Sequence, residues 1–133
     1  MKPARMLAWA RRVLLFAVIG LLLYGWRRFD VVTLPEGAHS PLFGIHPGDR
    51  LLVDRRAEPG AGEENWLYRD GAGALLLGRT KGAHEGVAAL EAGQVWLEFE
   101  REVPGLADSR TNGPVPRSAL AGRVVFVLPR TTP

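Results

Sequence analysis

Short apolar segments separated by turn residues make up most of the chain after residue 29, without a sustained helical period. Apolar runs of this length, bounded by Gly, Pro and Asp, are typical of β-strands. The pattern therefore predicts strands over residues 30–34, 50–55, 65–69, 74–81, 94–100 and 123–128. Segments 51–53 and 124–128 are apolar on both faces, which favours central strands, whereas 94–100 alternates and predicts one buried face. Residues 116–121 are expected to form one helical turn.

The N-terminal region has a different pattern, an uncharged apolar run from Val13 to Trp26. A helix of this length covers only ~21 Å of the ~30 Å hydrocarbon core. We therefore expect the helix to extend back through residues 6–10, with Arg11 and Arg12 reaching toward the headgroups. The residues after the run are not the small ones that a signal-peptide cleavage site needs, so the sequence predicts an uncleaved transmembrane anchor.

Basic residues flank this run unequally, with four before it and two after it. Because cytoplasmic flanks carry the excess of Lys and Arg, we expect the N-terminus in the cytoplasm and the remainder outside. The chain is thus predicted to divide into a cytoplasmic tail and anchor over residues 1–28 and a mostly β, antiparallel domain over residues 29–133.

Composition limits the remaining possibilities. With 133 residues, 47% of them hydrophobic, the chain has room for one modest domain and an anchor. The net charge of +3 comes from scattered arginines with no interleaved aromatic stripe, so we expect no nucleic-acid partner. Cysteine is absent, which excludes disulfides and thiolate metal sites, and we predict neither a metal nor a cofactor.

A polar cluster near the C-terminus combines several features at fixed spacing. Asp108, Ser109 and Arg110 are followed by Gly-Pro-Val-Pro at 113–116 and by a Gly-Arg-Val strand start at 122–124. No part of this cluster would be informative alone. The spacing of all three parts makes it a recognisable box.

A second box lies upstream, where Ser40 precedes Gly48 by eight residues and Asp49 leads into the strand at 50–55. Together the two boxes resemble the type I signal peptidase family, the membrane-anchored serine peptidases that remove leader peptides from exported proteins. The resemblance implies a signal-peptidase-like antiparallel β domain behind one N-terminal transmembrane helix. It also implies the bacterial cytoplasmic (inner) membrane, with the β domain on the periplasmic face.

The resemblance places Ser40 at the position of the nucleophile, which needs a base to take its proton and donors for the oxyanion. The position of the second oxyanion donor falls on Ala38. The same resemblance gives Asp108 and Arg110 a structural role, since bidentate Arg–carboxylate pairs are suited to holding a loop. Asp49 and Gly113 are the other two residues expected to hold the loops around the site.

Signal peptidases of this type use a lysine general base, and that position is lost here. Alignment on Gly82 places Gly78 there, and alignment on the following turn places Leu77 there; neither accepts a proton. Lys81 is the only lysine outside the N-terminal tail and is the candidate for a displaced base. A shift of three residues puts it on the opposite sheet face, whereas a shift of four keeps the face but moves it ~13 Å along the strand.

The histidines offer no replacement in register: His39 neighbours Ser40, His46 lies in a turn, and His84 lies beyond the strand. A serine that helps to hold the lysine in the family is replaced by Leu106. Loss of both groups predicts a small, degenerate family member.

We therefore predict a weakly active or non-catalytic peptide-binding or assembly factor for leader peptides of exported or pilus-type proteins. The alternative is an active serine endopeptidase that uses Ser40 with Lys81 as a displaced base. Expected partners are exported preproteins or pilin-type subunits, bound as extended peptides, and membrane lipid.

Overall fold

The structure is a computed structural model that describes residues 2–35, 40–60, 62–81 and 93–130. It begins with one long helix and continues as short strands joined by loops, with one further short helix and a 3₁₀ turn. The elements are α1 (Pro3–Arg28), β1 (Phe29–Thr33), β2 (Arg50–Asp54), β3 (Asn65–Arg69), β4 (Leu75–Thr80), β5 (Gln94–Val95), β6 (Leu97–Glu98), α2 (Ser109–Asn112), β7 (Val115–Pro116), a 3₁₀ turn (Arg117–Ala119) and β8 (Leu120–Leu128).

Six strands form one sheet in the order β1-β2-β8-β3-β4-β6, and β5 pairs with β7 in a second, two-stranded sheet. Every pair is antiparallel. The prediction of an apolar N-terminal helix followed by a mostly β, antiparallel domain is therefore confirmed. The prediction that β2 and β8 are central strands is also confirmed, because both have a neighbour on each side.

Three details differ from the sequence prediction. The continuous strand over 94–100 is wrong, because β5 and β6 belong to different sheets and Trp96 lies between them. The segment 124–128 is apolar, but it is not buried on both faces, since Phe126 and Leu128 are exposed. The elements α2 and β7 are short ones that the hydrophobic pattern did not predict.

The core consists of two clusters, one on each side of the sheet. The front cluster contains Leu42, Ile45, Leu51, Val53, Leu67 and Leu77. The back cluster contains Trp66, Tyr68, Val95, Leu97 and Phe99. Strand β3 supplies both, because successive side chains point to opposite faces: Leu67 joins the front cluster, and Trp66 and Tyr68 join the back one.

Gly122 explains part of the Gly-Arg-Val signal at the start of β8. A Cβ atom at this position would lie 2.3 Å from Val53 Cγ1 and 2.9 Å from the carbonyl oxygen of Asp54. Because no real Cβ tolerates such contacts, only glycine lets β8 and β2 pair at this distance.

The helix α1 is long and apolar enough to cross a membrane, and none of its residues is buried. Its 26 residues correspond to about 39 Å. The helix includes residues 6–10, so the expected extension of the apolar run is confirmed. The single helix is the only part of the described chain that satisfies this test for a membrane span.

The end of α1 is held against the sheet by charged groups. The Arg28 guanidinium donates to both carboxylate oxygens of Asp54, at 2.9 to 3.1 Å, and Asp54 is only 2% exposed. Arg55 donates to the carbonyl oxygens of Trp26 and Arg27, at 2.9 and 3.0 Å, and so satisfies the end of the helix. The hydrogen bonds from Arg28 hold the pKa of Asp54 below its usual range, although burial acts in the opposite direction.

Candidate functional site

Ser40 lies at the start of a loop that packs on the front cluster, and it is 4% exposed. Its Oγ donates to the carbonyl oxygen of Leu42 at 3.0 Å and accepts the Leu42 N–H at 3.3 Å. The next residue is fixed as well, since the Pro41 carbonyl accepts the N–H groups of Glu100 and Arg101 at 2.8 and 3.1 Å. Within the described ranges, the Ser40 hydroxyl therefore bonds to local backbone and to no titratable side chain.

Lys81 lies just beyond β4 and has a different partner. Its Nζ is 3.2 Å from Glu63 Oε1, and the same carboxylate lies 3.5 Å from Arg79 Nε. The described contact thus directs the Lys81 amine to Glu63. The structure does not bring Lys81 and Ser40 into contact.

The two alignments assign the position of the lysine base to Leu77 or to Gly78, and these two positions face opposite sides of β4. Leu77 pairs with Leu67 in register, is 2% exposed, and belongs to the front cluster together with Leu42. A side chain at position 77 therefore projects to the side of the sheet on which the Ser40 loop packs. The alignment on Leu77 is the one that agrees with this geometry.

Gly78 faces the back cluster instead. A Cβ at this position would lie 3.0 Å from Tyr68 Cε1 and 3.1 Å from Leu97 Cβ. The space that a side chain would need is therefore occupied by apolar groups. A base at this position would not fit and would face away from Ser40.

Of the three histidines, the structure describes His46. Its Nδ1 is 3.8 Å from Asp49 Oδ2, and its side chain is largely exposed. His39, His84 and Ala38 lie outside the described residues. In residues 2–35, 40–60, 62–81 and 93–130, no three or more His, Cys, Asp or Glu side chains form a group able to hold a metal ion.

The Asp108 loop is held by a network of charge-assisted hydrogen bonds. Asp108 accepts the N–H of Phe99 at 2.7 Å, the N–H of Arg110 at 3.0 Å and the Arg110 guanidinium at 2.7 Å. Ser109 Oγ accepts the N–H of Leu97 at 3.0 Å. Gly113 ends α2 with a φ of 79°, a conformation that favours glycine.

Asp108 is negatively charged in this network. Burial alone would raise its pKa, but the hydrogen bonds from Arg110 and from the two backbone N–H groups outweigh it and hold the pKa below the usual range. The loop is thus fixed by an anion that is buried and fully paired, which is a structural arrangement.

Asp49 connects three segments near the start of β2. Its Oδ2 accepts the N–H of His46 at 2.9 Å, its Oδ1 accepts the N–H of Arg130 at 3.0 Å, and its carbonyl oxygen accepts the N–H of Leu34. The hydrogen bond from His46 is the largest cause of a pKa below the usual range for this carboxyl group.

An apolar cleft of about 490 Å³ lies on the front side of the sheet, next to β1. Its lining includes Val32, Leu34, Pro41, Leu77, Val103 and Leu106. Leu106, which the resemblance to signal peptidases aligns with a serine, thus contributes an apolar wall. The cleft lies beside the Ser40 loop, because Pro41 is part of its lining.

Strand β1 forms one edge of the six-stranded sheet. The Leu34 N–H bonds to the Asp49 carbonyl, so the alternation of an antiparallel pair directs the N–H and C=O of Thr33 away from β2. Asp30 Oδ1 accepts a hydrogen bond from the N–H of Val31 at 2.9 Å. In the part of the chain that the structure describes, the backbone of β1 therefore has no second strand partner at its Thr33 end, where it borders the cleft.

No family model matches the chain, and no curated protein matches it. The likeness to signal peptidases accordingly depends on the residues of the two boxes.

Proposed function

We propose that the chain is a membrane-anchored, signal-peptidase-like protein that binds exported or pilus-type polypeptides in extended form without hydrolysing them. The observation that carries this proposal is Leu77, a buried leucine on the side of the sheet where the Ser40 loop packs. The resemblance to Ser-Lys peptidases aligns this leucine with their lysine, and its apolar, buried side chain supports the loss of the base.

The contacts of Ser40 support the absence of hydrolysis. General-base catalysis requires a proton acceptor within hydrogen-bond reach of the hydroxyl. The described partner of Ser40 Oγ is the Leu42 backbone, and Lys81, the one lysine outside the N-terminal tail, is paired with Glu63. Without a proton acceptor among the described residues, the serine is a weak nucleophile.

The cleft and the β1 edge support a peptide-binding role. An extended peptide can add to a sheet edge through its main chain and place alternate side chains in neighbouring pockets. The open Thr33 end of β1 supplies the main-chain groups, and the apolar cleft beside it receives the side chains. The apolar lining favours peptides whose inward side chains are small and uncharged, as in leader sequences.

The length of α1 and its flanking charges support the membrane location. We place the helix across the bacterial cytoplasmic membrane, with the N-terminus in the cytoplasm and the β domain outside. In this orientation the cleft meets polypeptides as they emerge from the membrane.

Peptide binding can be measured with the full chain in neutral detergent and a fluorescent leader peptide. Leu106→Asp puts a charge into the apolar cleft, so we expect the affinity to fall by about tenfold or more. Leu128→Asp is the matched control, because Leu106 and Leu128 are similarly exposed, 36% and 43%, and Leu128 does not line the cleft. Failure of the parent protein to bind, or an equal loss in both variants, would contradict the proposal.

A further inference from the structure

Arginine side chains gather where α1 meets the sheet, and most of them have partners. Arg28 bonds to Asp54, and Arg55 bonds to carbonyl oxygens at the end of the helix. Arg117 lies 3.1 Å from Glu58, and Arg123 lies 3.5 Å from Glu64. These four cations are neutralised or bonded inside the protein.

Arg27 and Arg56 are different. Both are exposed, and neither forms an ion pair or a side-chain hydrogen bond with a residue in the described part of the chain. They come from separate elements, the end of α1 and the turn after β2, yet they line one cavity of about 370 Å³. Two guanidinium groups that share a cavity repel each other unless an anion lies between them.

The other two residues that line this cavity are Leu23 and Tyr24, in the last turns of α1. They give the cavity an apolar wall on the membrane side and leave the two arginines on the sheet side. The cavity is therefore amphipathic, with positive charge at one end and apolar groups at the other.

The position along α1 places the cavity at the membrane surface. About 20 helical residues span the hydrocarbon core. Counting back from Trp26, this stretch ends near Leu7, so Arg27 lies at the level of the headgroups. Leu23 and Tyr24 lie just below, where lipid acyl chains begin.

We propose that this cavity binds the phosphate group of an anionic phospholipid. Arg27 and Arg56 contact the phosphate oxygens, since guanidinium groups match phosphate geometry. Leu23 and Tyr24 contact the upper part of the acyl chain. The Tyr24 hydroxyl already accepts a hydrogen bond from Arg28. A free phosphate would satisfy Arg27 and Arg56 but would not cover the exposed Leu23 side chain, which is why we favour the lipid.

The neighbouring contacts make the site rigid before a lipid binds. Arg28 joins α1 to Asp54 of β2, and Arg55 joins the turn after β2 to the carbonyl end of α1. These bonds fix the position of Arg27 relative to Arg56, which lowers the entropic cost of binding. The lipid would in turn hold the β domain at a fixed height above the membrane.

Native mass spectrometry of the full chain in neutral detergent tests this site. Phosphatidylglycerol and phosphatidylcholine with the same acyl chains are added in separate titrations. We expect the parent protein to retain phosphatidylglycerol in preference to phosphatidylcholine. Because each arginine near an anionic lipid contributes about fivefold, the double variant Arg27→Gln/Arg56→Gln should lose about 25-fold in affinity for phosphatidylglycerol.

The double variant Arg50→Gln/Arg101→Gln is the matched control, because it removes two exposed arginines that do not line the cavity. Its affinity for phosphatidylglycerol should equal that of the parent, with both variants showing the parent's circular dichroism. Equal retention of the two lipids by the parent, or equal losses in both double variants, would overturn the proposal. Displacement of phosphatidylglycerol by an equimolar amount of soluble glycerol 3-phosphate would also overturn it, in favour of a site for free phosphates.

Discussion

Asp108 and Ser40 are both buried, but their polar atoms have very different partners. Asp108 accepts hydrogen bonds from two backbone N–H groups and from a guanidinium. Ser40 bonds only to the backbone of Leu42 among the described residues, and Leu42 and Leu77 beside it are apolar. Among the described residues, Asp108 lies in a network of charged groups, whereas the Ser40 hydroxyl has only backbone partners.

This difference distinguishes residues that hold the fold from residues that would take part in catalysis. The Asp108 network holds a loop against the back of the sheet, and any protein with this architecture needs it whether or not it cuts peptides. A lysine base is useful only for catalysis. Under the proposed function, the framework for binding a peptide is retained and the proton acceptor is lost.

The largest effect is expected from breaking the Asp108 network. Asp108→Ala removes a buried acceptor and leaves the N–H of Phe99 unpaired, so the free energy of unfolding should fall by about 3 kcal/mol. Thermal unfolding of the full chain in detergent measures this loss. Asp70→Ala is the control: Asp70 also accepts two backbone N–H groups, but in a surface turn, and its loss should cost only about 1 kcal/mol. Equal losses would mean that the Asp108 network has no special structural role.

A side chain at position 78 tests the assignment of faces. Gly78→Ala would push Cβ against Tyr68 and Leu97, so we expect a loss of about 2 kcal/mol in the free energy of unfolding. Gly71→Ala, where nothing lies within 4 Å of the added Cβ, should change it by less than about 0.5 kcal/mol. If Gly78→Ala were neutral, the back side of β4 would have room for a base after all.

The two buried serines provide a direct comparison between the loops. Ser109→Ala leaves the Leu97 N–H without an acceptor and should cost about 1.5 kcal/mol. Ser40→Ala removes a weaker, local interaction with Leu42 and should cost about 1 kcal/mol or less. Denaturant titration measures both values. A larger loss for Ser40→Ala would indicate that the hydroxyl has a structural role beyond its turn.

The smallest expected effect is the loss of stability at acidic pH. The pKa values of Asp108, Asp54 and Asp49 are lowered in the folded state. Their contribution to stability is therefore complete above the unfolded value of about 3.9 and is lost as the pH falls below it through the folded values. Thermal unfolding between pH 7 and pH 3 should show this loss.

The same pH series distinguishes the two loops. Asp108→Asn should reduce the dependence of stability on acid, whereas Ser40→Ala should leave it unchanged because a hydroxyl group does not titrate in this range. A change in the acid dependence of Ser40→Ala would reveal a titratable partner of Ser40, contrary to the arrangement described above.

The main elements of the fold could be predicted because their signals are local. The apolar run predicts α1, and the turn residues that flank β3 predict its limits at Asn65 and Arg69. The short helix α2 also had a local signal, an Asp at the N-cap and a Gly after its last residue, that hydrophobic periodicity does not detect. The division of residues 94–100 into β5 and β6 had no local signal, because it depends on the strands with which the two halves pair, β7 and β4.

The candidate site was less predictable, since it depends on contacts between distant residues. The sequence left Leu77 and Gly78 as equal alternatives, and only the register of β4 against β3 tells which one faces the Ser40 loop. The ion pair of Lys81 with Glu63 joins residues that are not neighbours on one element. The hydrogen bonds between Arg28 and Asp54 join residues 26 positions apart, so no local sequence pattern predicts them.

Cleavage of a preprotein by the full chain in detergent tests the central claim most directly. The parent, Ser40→Ala and Lys81→Ala are assayed beside an intact Ser-Lys signal peptidase as a positive control. We predict no cleavage by any form of this chain under conditions in which the control enzyme is active. Cleavage by the parent that both substitutions abolish would contradict the account and establish an active Ser-Lys peptidase with a displaced base.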